Sequence, residues 1–369
     1  MHISRRDFLS TAALAAFVPR SWADAPAKAA RSPGSAYERA IVLDTLMMSG
    51  PDFDVQVGLT AGLTGGVVDL MGPRDTTHAF DAIAQWNAAF ADPRSSFRCV
   101  LRSEDFARAK SGGQFAVALM SQDASILGSP YPANLDENIL TLRAFHKAGL
   151  RVLQLVYTTN NGLGGGYSER VDSGLFRLGE RVVPEMNALG MLIDLSHCSE
   201  ATTLQAIALS NRPCSVTHAG CFALFDDKRN KSDKVIRALA DKGGYFGVYN
   251  MTLWMTKRTT ASVEDIVDHI DHAVKIGGID LVGFGSDHYP LGDQRTQEVK
   301  VQEMQGFAAR NRGFPGGEAV QGQVTASDMD GPDRMHVLCD ALSRRGYGDS
   351  QIERILGANF VGTFGSACD

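Results

Sequence analysis

Two histidines that close apolar runs carry the chemistry. His197 ends Met191-Leu192-Ile193-Asp194-Leu195-Ser196, and His218 ends Cys214-Ser215-Val216-Thr217. A run that stays apolar and ends in a polar residue is the pattern of a strand covered on both faces in a parallel sheet. A third run, Leu281 to Ser286, ends in Asp287 in the same way. Two imidazoles and a carboxylate from one series of strand ends are a ligand set for zinc, with an open fourth position for water. A lone strand-end histidine is more often a cap. Three ligand types in one series favour the metal reading.

The elements that must position these residues alternate from residue 40 onward. Strands are expected at 40–48, 66–71, 97–101, 115–120, 152–157, 245–251 and in the three runs above. Helices are expected at 76–91, 135–148, 174–189, 234–241, 262–276, 333–345 and 350–356. The helix over 174–189 has apolar residues at helical spacing and stops at Gly190, a left-handed stop. About eight strands over this length predict an α/β fold, a (β/α)8 TIM barrel, with the active site at the strand C-termini. A doubly wound sheet would need a Gly-rich turn after a strand, and none is present. The glycine-rich stretch 162–166 lacks the Lys-Ser/Thr ending of a phosphate loop. The polar span 288–330 shows little periodicity and is expected to be a lid loop.

With 44% hydrophobic residues, the 369-residue chain suits one large barrel. A net charge of −6 and the lack of a long basic run argue against nucleic-acid partners. The six cysteines follow no C-x-x-C spacing, so they read as buried small apolar residues. Residues 1–23 read as an export signal: Ser4-Arg5-Arg6-Asp7-Phe8-Leu9 resembles the twin-arginine motif, an apolar stretch follows, and cleavage is expected near Ala23. That implies passage through the twin-arginine translocase to the periplasm. Residues 24–37 are expected to be a linker, and 38–369 the barrel.

Several blocks in order resemble the membrane (renal) dipeptidases, metallopeptidase family M19. Leu189 to His197 resembles the family's L-G-M-L-V-D-L-S-H block, Val216-Thr217-His218 its second histidine strand, and Arg229-Asn230 its Arg-Asn pair. Asp268 to His272, Gly283 to Asp287 and Gly357 to Phe360 resemble its D-H-I-D-H, G-I-G-S-D and G-G-N-F blocks. The resemblance implies a barrel with two zinc ions that cleaves dipeptides or small amides, and often a homodimer. His197 and His218 would hold one zinc, and Arg229 the substrate carboxylate. Asp287 would manage the proton on water and leaving amine. Tyr157, where the family has a substrate-side histidine, and Asn160 would contact substrate.

The departures from the family pattern are specific. Its first strand carries H-x-D after an Asp; here Asp44 is followed by Leu46 and Met48 at the ligand positions. Its bridging glutamate falls at Gln122. A binuclear centre is therefore not expected. One zinc is, held by His197, His218 and a carboxylate: Asp123 first, with Asp44 and Asp287 as alternatives. The expected function is a metal-dependent dipeptidase or small-amide hydrolase. The alternative is a peptide-binding protein of the same fold that has lost its metal chemistry.

Overall fold

Runs such as Phe115–Ser121 have no polar face to turn outward, so they must be covered on both sides. In the computed structural model, which describes residues 35–70, 75–129, 135–290, 302 and 324–369, such runs form parallel strands. These are β1 (Leu43–Met48), β2 (Gly65–Asp69), β3 (Phe97–Cys99), β4 (Phe115–Ser121) and β5 (Leu150–Gln154). They continue as β6 (Leu192–Asp194), β7 (Cys214–Ala219), β8 (Tyr245–Val248) and β9 (Val282–Phe284).

The pairing order is β1-β2-β4-β5-β6-β7-β8-β9. The ring closes where Asp287 N donates to Leu46 O at 3.1 Å and Met48 N donates to His288 O at 3.0 Å. The result is the expected eight-stranded (β/α)8 barrel. The predicted strand at 97–101 exists but stands off the ring, paired only with the start of β4.

Close approach inside the ring is set by small residues. A Cβ on Gly285 would meet Thr217 O at 2.2 Å, so this position must be glycine. Thr45 Oγ1 uses the same space, 2.9 Å from Thr217 O and 3.0 Å from Phe284 O, which ties β1 to β7 and β9. Outside the ring, the helix Arg177–Leu189 buries Leu178, Val182, Val183 and Met186 and stops at Gly190, whose φ is 72°. Each such apolar side chain contributes roughly 1.5–3 kcal/mol. The helix Val263–Gly277 begins in a capping box of Ser262 and Asp265.

The ordered chain starts earlier than expected. Ala36 and Tyr37, assigned to the linker, lie in the helix Ala36–Arg39 and are buried, with the Tyr37 ring stacked 3.7 Å from that of His336. The expected export signal and most of the linker and lid spans lie outside the described residues. All six cysteines are free thiols, four of them buried. Among the described residues no helix is long and apolar enough to cross a membrane.

Candidate active site

The strand ends of β6 and β7 are organised by one buried carboxylate. Asp194 accepts hydrogen bonds from Thr217 N at 2.7 Å, Ser196 Oγ at 3.0 Å, Ser196 N at 3.1 Å and Ser215 Oγ at 3.3 Å. Burial pushes its pKa up, and the donors from Thr217 and Ser196 oppose that shift. The carboxylate thus ties the end of β6 to β7; the turn after β6 brings His197, and β7 itself His218, to the mouth.

There His197 Nε2 and His218 Nε2 lie 2.9 Å apart. Both residues are buried. Burial, then the Arg229 and Lys231 charges, push the His218 pKa well below the ordinary value, so its imidazole is neutral. Arg229 Nη2 stands 3.1 Å from His197 Nε2. A guanidinium only donates, so that nitrogen of His197 accepts. The single lone pair of His197 Nε2 is thus shared between Arg229 Nη2 and His218 Nε2, and the Thr217 hydroxyl lies 2.9 Å from His218 Nδ1.

Arg229 is fully buried and held rigidly. Its Nη1 donates to Ser196 O at 2.8 Å and its Nη2 to His218 O at 3.0 Å. The rings of Tyr249, Trp254 and Tyr167 surround the guanidinium at 5.2, 5.6 and 5.8 Å. Both Nη2 protons are committed, so the side-on fork expected to clasp a substrate carboxylate is closed. The Nε proton, which has no partner, and one Nη1 proton remain.

Tyr157 stacks on His197 with ring centroids 4.3 Å apart, which puts it at the site as expected. Asn160 is exposed and works within its own loop: its Oδ1 accepts from Gly166 N at 3.3 Å, so the substrate contact expected of it is replaced by a loop tie. Asp287 is half-buried beside the ring closure, at φ 58°, the one positive φ of a non-glycine among the described residues. Burial pushes its carboxyl up to about 6, against the pull of Arg229 and with the help of Asp69 and Asp44. A base poised there takes a proton near neutral pH.

The other half of the mouth overturns two expected ligands. Asp44 is fully buried in an ion pair with Arg334, whose Nη2 and Nε reach Oδ2 at 2.8 and 3.0 Å; Ser286 N donates to Oδ1 at 2.7 Å. Its oxygens are occupied, so it is not a metal ligand. Asp123 caps the 3₁₀ turn Ala124–Leu127: its Oδ1 takes Ser125 Oγ at 2.8 Å and both Ser125 N and Asn161 Nδ2 at 2.9 Å. A neighbour in sequence to a lost ligand has become a turn residue. Leu46 is fully buried in an apolar cluster with Leu43 and Val67, and Met48 is half-buried. Gln122 N donates to Asp69 Oδ1 at 3.0 Å, while its buried side-chain oxygen has no partner.

These donors do not fit the expected zinc. No group of three His, Cys, Asp or Glu able to hold a metal ion occurs among the described residues. Two nitrogens on one tetrahedral zinc lie roughly 3.3 Å apart for bonds of ~2 Å. Here the separation is the 2.9 Å of a hydrogen bond, and a fixed cation stands against one of the two rings.

Arg334 carried no sequence signal as a site residue, because its partner Asp44 lies 290 positions away. Asp194 was legible as a polar interruption of an apolar run. Lys231 was not singled out, yet it is buried, and that burial lowers its ammonium to about 8.

A parallel eight-stranded barrel with two imidazoles and a carboxyl group converging at its strand ends defines the class: a (β/α)8 barrel with its polar site at the C-terminal mouth. Within it, the chain belongs to the membrane dipeptidase family, peptidase family M19, whose profile matches residues 5–301. That family is one of metal-dependent, dipeptidase-like hydrolases. The dipeptidase verJ of Clonostachys rogersoniana is 28% identical over 247 residues, 64% of this chain and 54% of that protein. The match thus spans about half of this curated relative. Among solved structures, an amidohydrolase from Pseudomonas aeruginosa superposes with a TM-score of 0.78 at 23% identity, covering 90% of this chain and 98% of the other. A metallopeptidase from Rhodobacter sphaeroides, liganded with a phosphinate mimic of L-Ala-D-Ala, gives 0.69 at 18% identity, covering 89% and 99%. These two likenesses establish the fold.

Proposed function

We propose that the protein hydrolyses dipeptides or closely related small amides at the barrel mouth, after export to the periplasm. One observation carries the reading: His197, His218 and Arg229, distant family motifs in the sequence, meet within hydrogen-bond reach at the strand ends. Family membership and the dipeptide mimic held by the Rhodobacter relative support the substrate class. The twin-arginine-like Ser4 to Leu9 supports the export route.

The chain's own groups define the steps. Ionised Asp287 takes the proton of an attacking water and returns it to the leaving amine. The buried positive charge of Arg229, beside His197, favours a developing oxyanion at the mouth, where such stabilisation is strongest. Zinc would supply Lewis acidity, but the donor set falls short of three protein ligands, so no step is assigned to it.

A second reading, capture without cleavage, is favoured by that same shortage of ligands. Assay of purified mature protein on a dipeptide panel separates the two. The hydrolytic reading expects turnover that survives chelation and drops about 100-fold in Asp287→Asn. Binding without turnover by the wild type would establish capture instead. Turnover that tracks bound metal at one or more ions per chain would overturn the metal-free steps.

A further inference from the structure

Beside the mouth, the loops after β5, β6 and β7 surround a cavity of about 190 Å³, lined among others by Tyr167, Cys198, Phe222 and Lys231. That is room for roughly six waters at ~30 Å³ each, or a carboxylate with a few carbons. Lys231 is 2% exposed. Its ammonium makes one hydrogen bond, to Cys198 O at 2.7 Å, and no ion pair with any described residue. A buried ammonium has three donors and ordinarily a carboxylate partner. Tyr167, also 2% exposed, carries a buried hydroxyl with no hydrogen bond of ordinary geometry, the Thr158 side chain being its polar neighbour.

The acidic residues around the cavity do not neutralise Lys231. Asp172 is engaged by Ala201 N at 2.8 Å and Ser199 Oγ at 2.5 Å, and so already covers the start of the helix Glu200–Leu209. Glu169 Oε1 accepts from Asn160 N at 3.0 Å, and Glu200 is exposed. The fully buried guanidinium of Arg229 adds a second positive charge nearby, one of the charges that Lys231 senses. The buried carboxylate of Asp194 and the exposed Glu200 act on Lys231 in the opposite sense, but neither Lys231 nor Arg229 is in an ion pair with a described residue.

We propose that Lys231 and Tyr167 form an anion site in this cavity, and that it seats the carboxylate of a small substrate in place of the closed fork of Arg229. The occupant is a carboxylate-sized anion. Its assignment to the substrate rests on the small-peptide reading above, whereas the anion site itself does not.

Calorimetry on the full mature chain tests both levels, with acetate, glycylglycine and glycylglycinamide as probes at constant chloride. The wild type should bind acetate saturably, and glycylglycine at least tenfold more tightly than its amide. Lys231→Met should lose at least tenfold in acetate affinity, Tyr167→Phe should lose less, and Lys231→Arg should recover part of the loss. Where Lys231→Met fails to fold, acylation of Lys231 in the wild type, read by mass spectrometry, should slow at least threefold in saturating acetate. Acetate binding unchanged in Lys231→Met, an absence of saturable acetate binding, or acylation indifferent to acetate overturns the site. Acetate binding that depends on Lys231, with glycylglycine and its amide bound equally, upholds the anion site and overturns its assignment to the substrate.

Discussion

The two halves of the barrel mouth solve the problem of buried charge in opposite ways. On β6 and β7 a buried carboxylate, Asp194, has no cation partner and is satisfied by hydroxyl and backbone donors; its reward is two fixed imidazoles. On β1 a buried carboxylate, Asp44, is neutralised by a fully buried guanidinium from the far end of the chain, Arg334, and the ligand positions after it, Leu46 and Met48, are apolar. The contrast shows that a ligand set can be dismantled on one side of a barrel while the scaffold of the other side stays intact. Each half satisfies its buried carboxylate with its own donors.

The comparison breaks first at Arg334. Arg334→Met leaves the Asp44 charge buried without its partner and should cost about 3–5 kcal/mol in denaturant unfolding, far more than the few tenths typical of a surface ion pair. A loss under about 1 kcal/mol would mean that Asp44 is not held as an ion. Next in size is a rebuilding experiment. Leu46→His, Met48→Asp and Gln122→Glu together should raise zinc affinity about 100-fold, measured by competition with a chelating dye. Zinc held as tightly by the unaltered chain would contradict the donor count.

Smaller effects sharpen the other half. Asp194→Asn keeps the shape but places an amide donor against either Thr217 N or Ser196 N, which bond to different oxygens, and should lose about 1–3 kcal/mol of stability. The His197 and His218 ring resonances in NMR should shift with it; unchanged rings would free the histidines from that carboxylate. The smallest effect is the pH profile. Since burial raises the Asp287 carboxyl to about 6, hydrolysis should be at half its plateau there and fall about tenfold per unit below. The sign is that of an acid needed ionised: activity is present above the raised pKa and lost beneath it. Between the ordinary 3.8 and about 6 the folded chain also binds more protons at this site than the unfolded one. From this group alone, stability therefore rises as pH falls through that window.

The barrel was legible because a two-faced strand announces itself by composition. Phe115–Ser121 and the runs ending at His197 and His218 needed no partner to be recognised. The β3 strand shows the limit, since its apolar run predicts a strand but not whether that strand enters the ring. The imidazole pair was legible for the same reason as the strands that carry it. Asp123 and Asp44 were misjudged because a carboxylate's availability depends on what else reaches it. Ser125 and Asn161 claim the first, and Arg334, near the opposite end of the chain, claims the second. Lys231 shows the same blindness: a lysine beside Arg229-Asn230 looks solvated until the fold closes over it.

Arg334 has one more consequence, for the tolerance of the chain to change in length. Its Nη1 also donates to Pro290 O at 3.0 Å and Gly331 O at 3.3 Å, so a single side chain fastens both ends of the intervening forty residues. With those ends stapled together, the entropy of closing the excursion is met locally and grows only slowly with its size. A change in the number of residues between the two anchor points is therefore felt first at this one side chain, while Val324, Ala326 and Met329, buried against the barrel, have to keep their places.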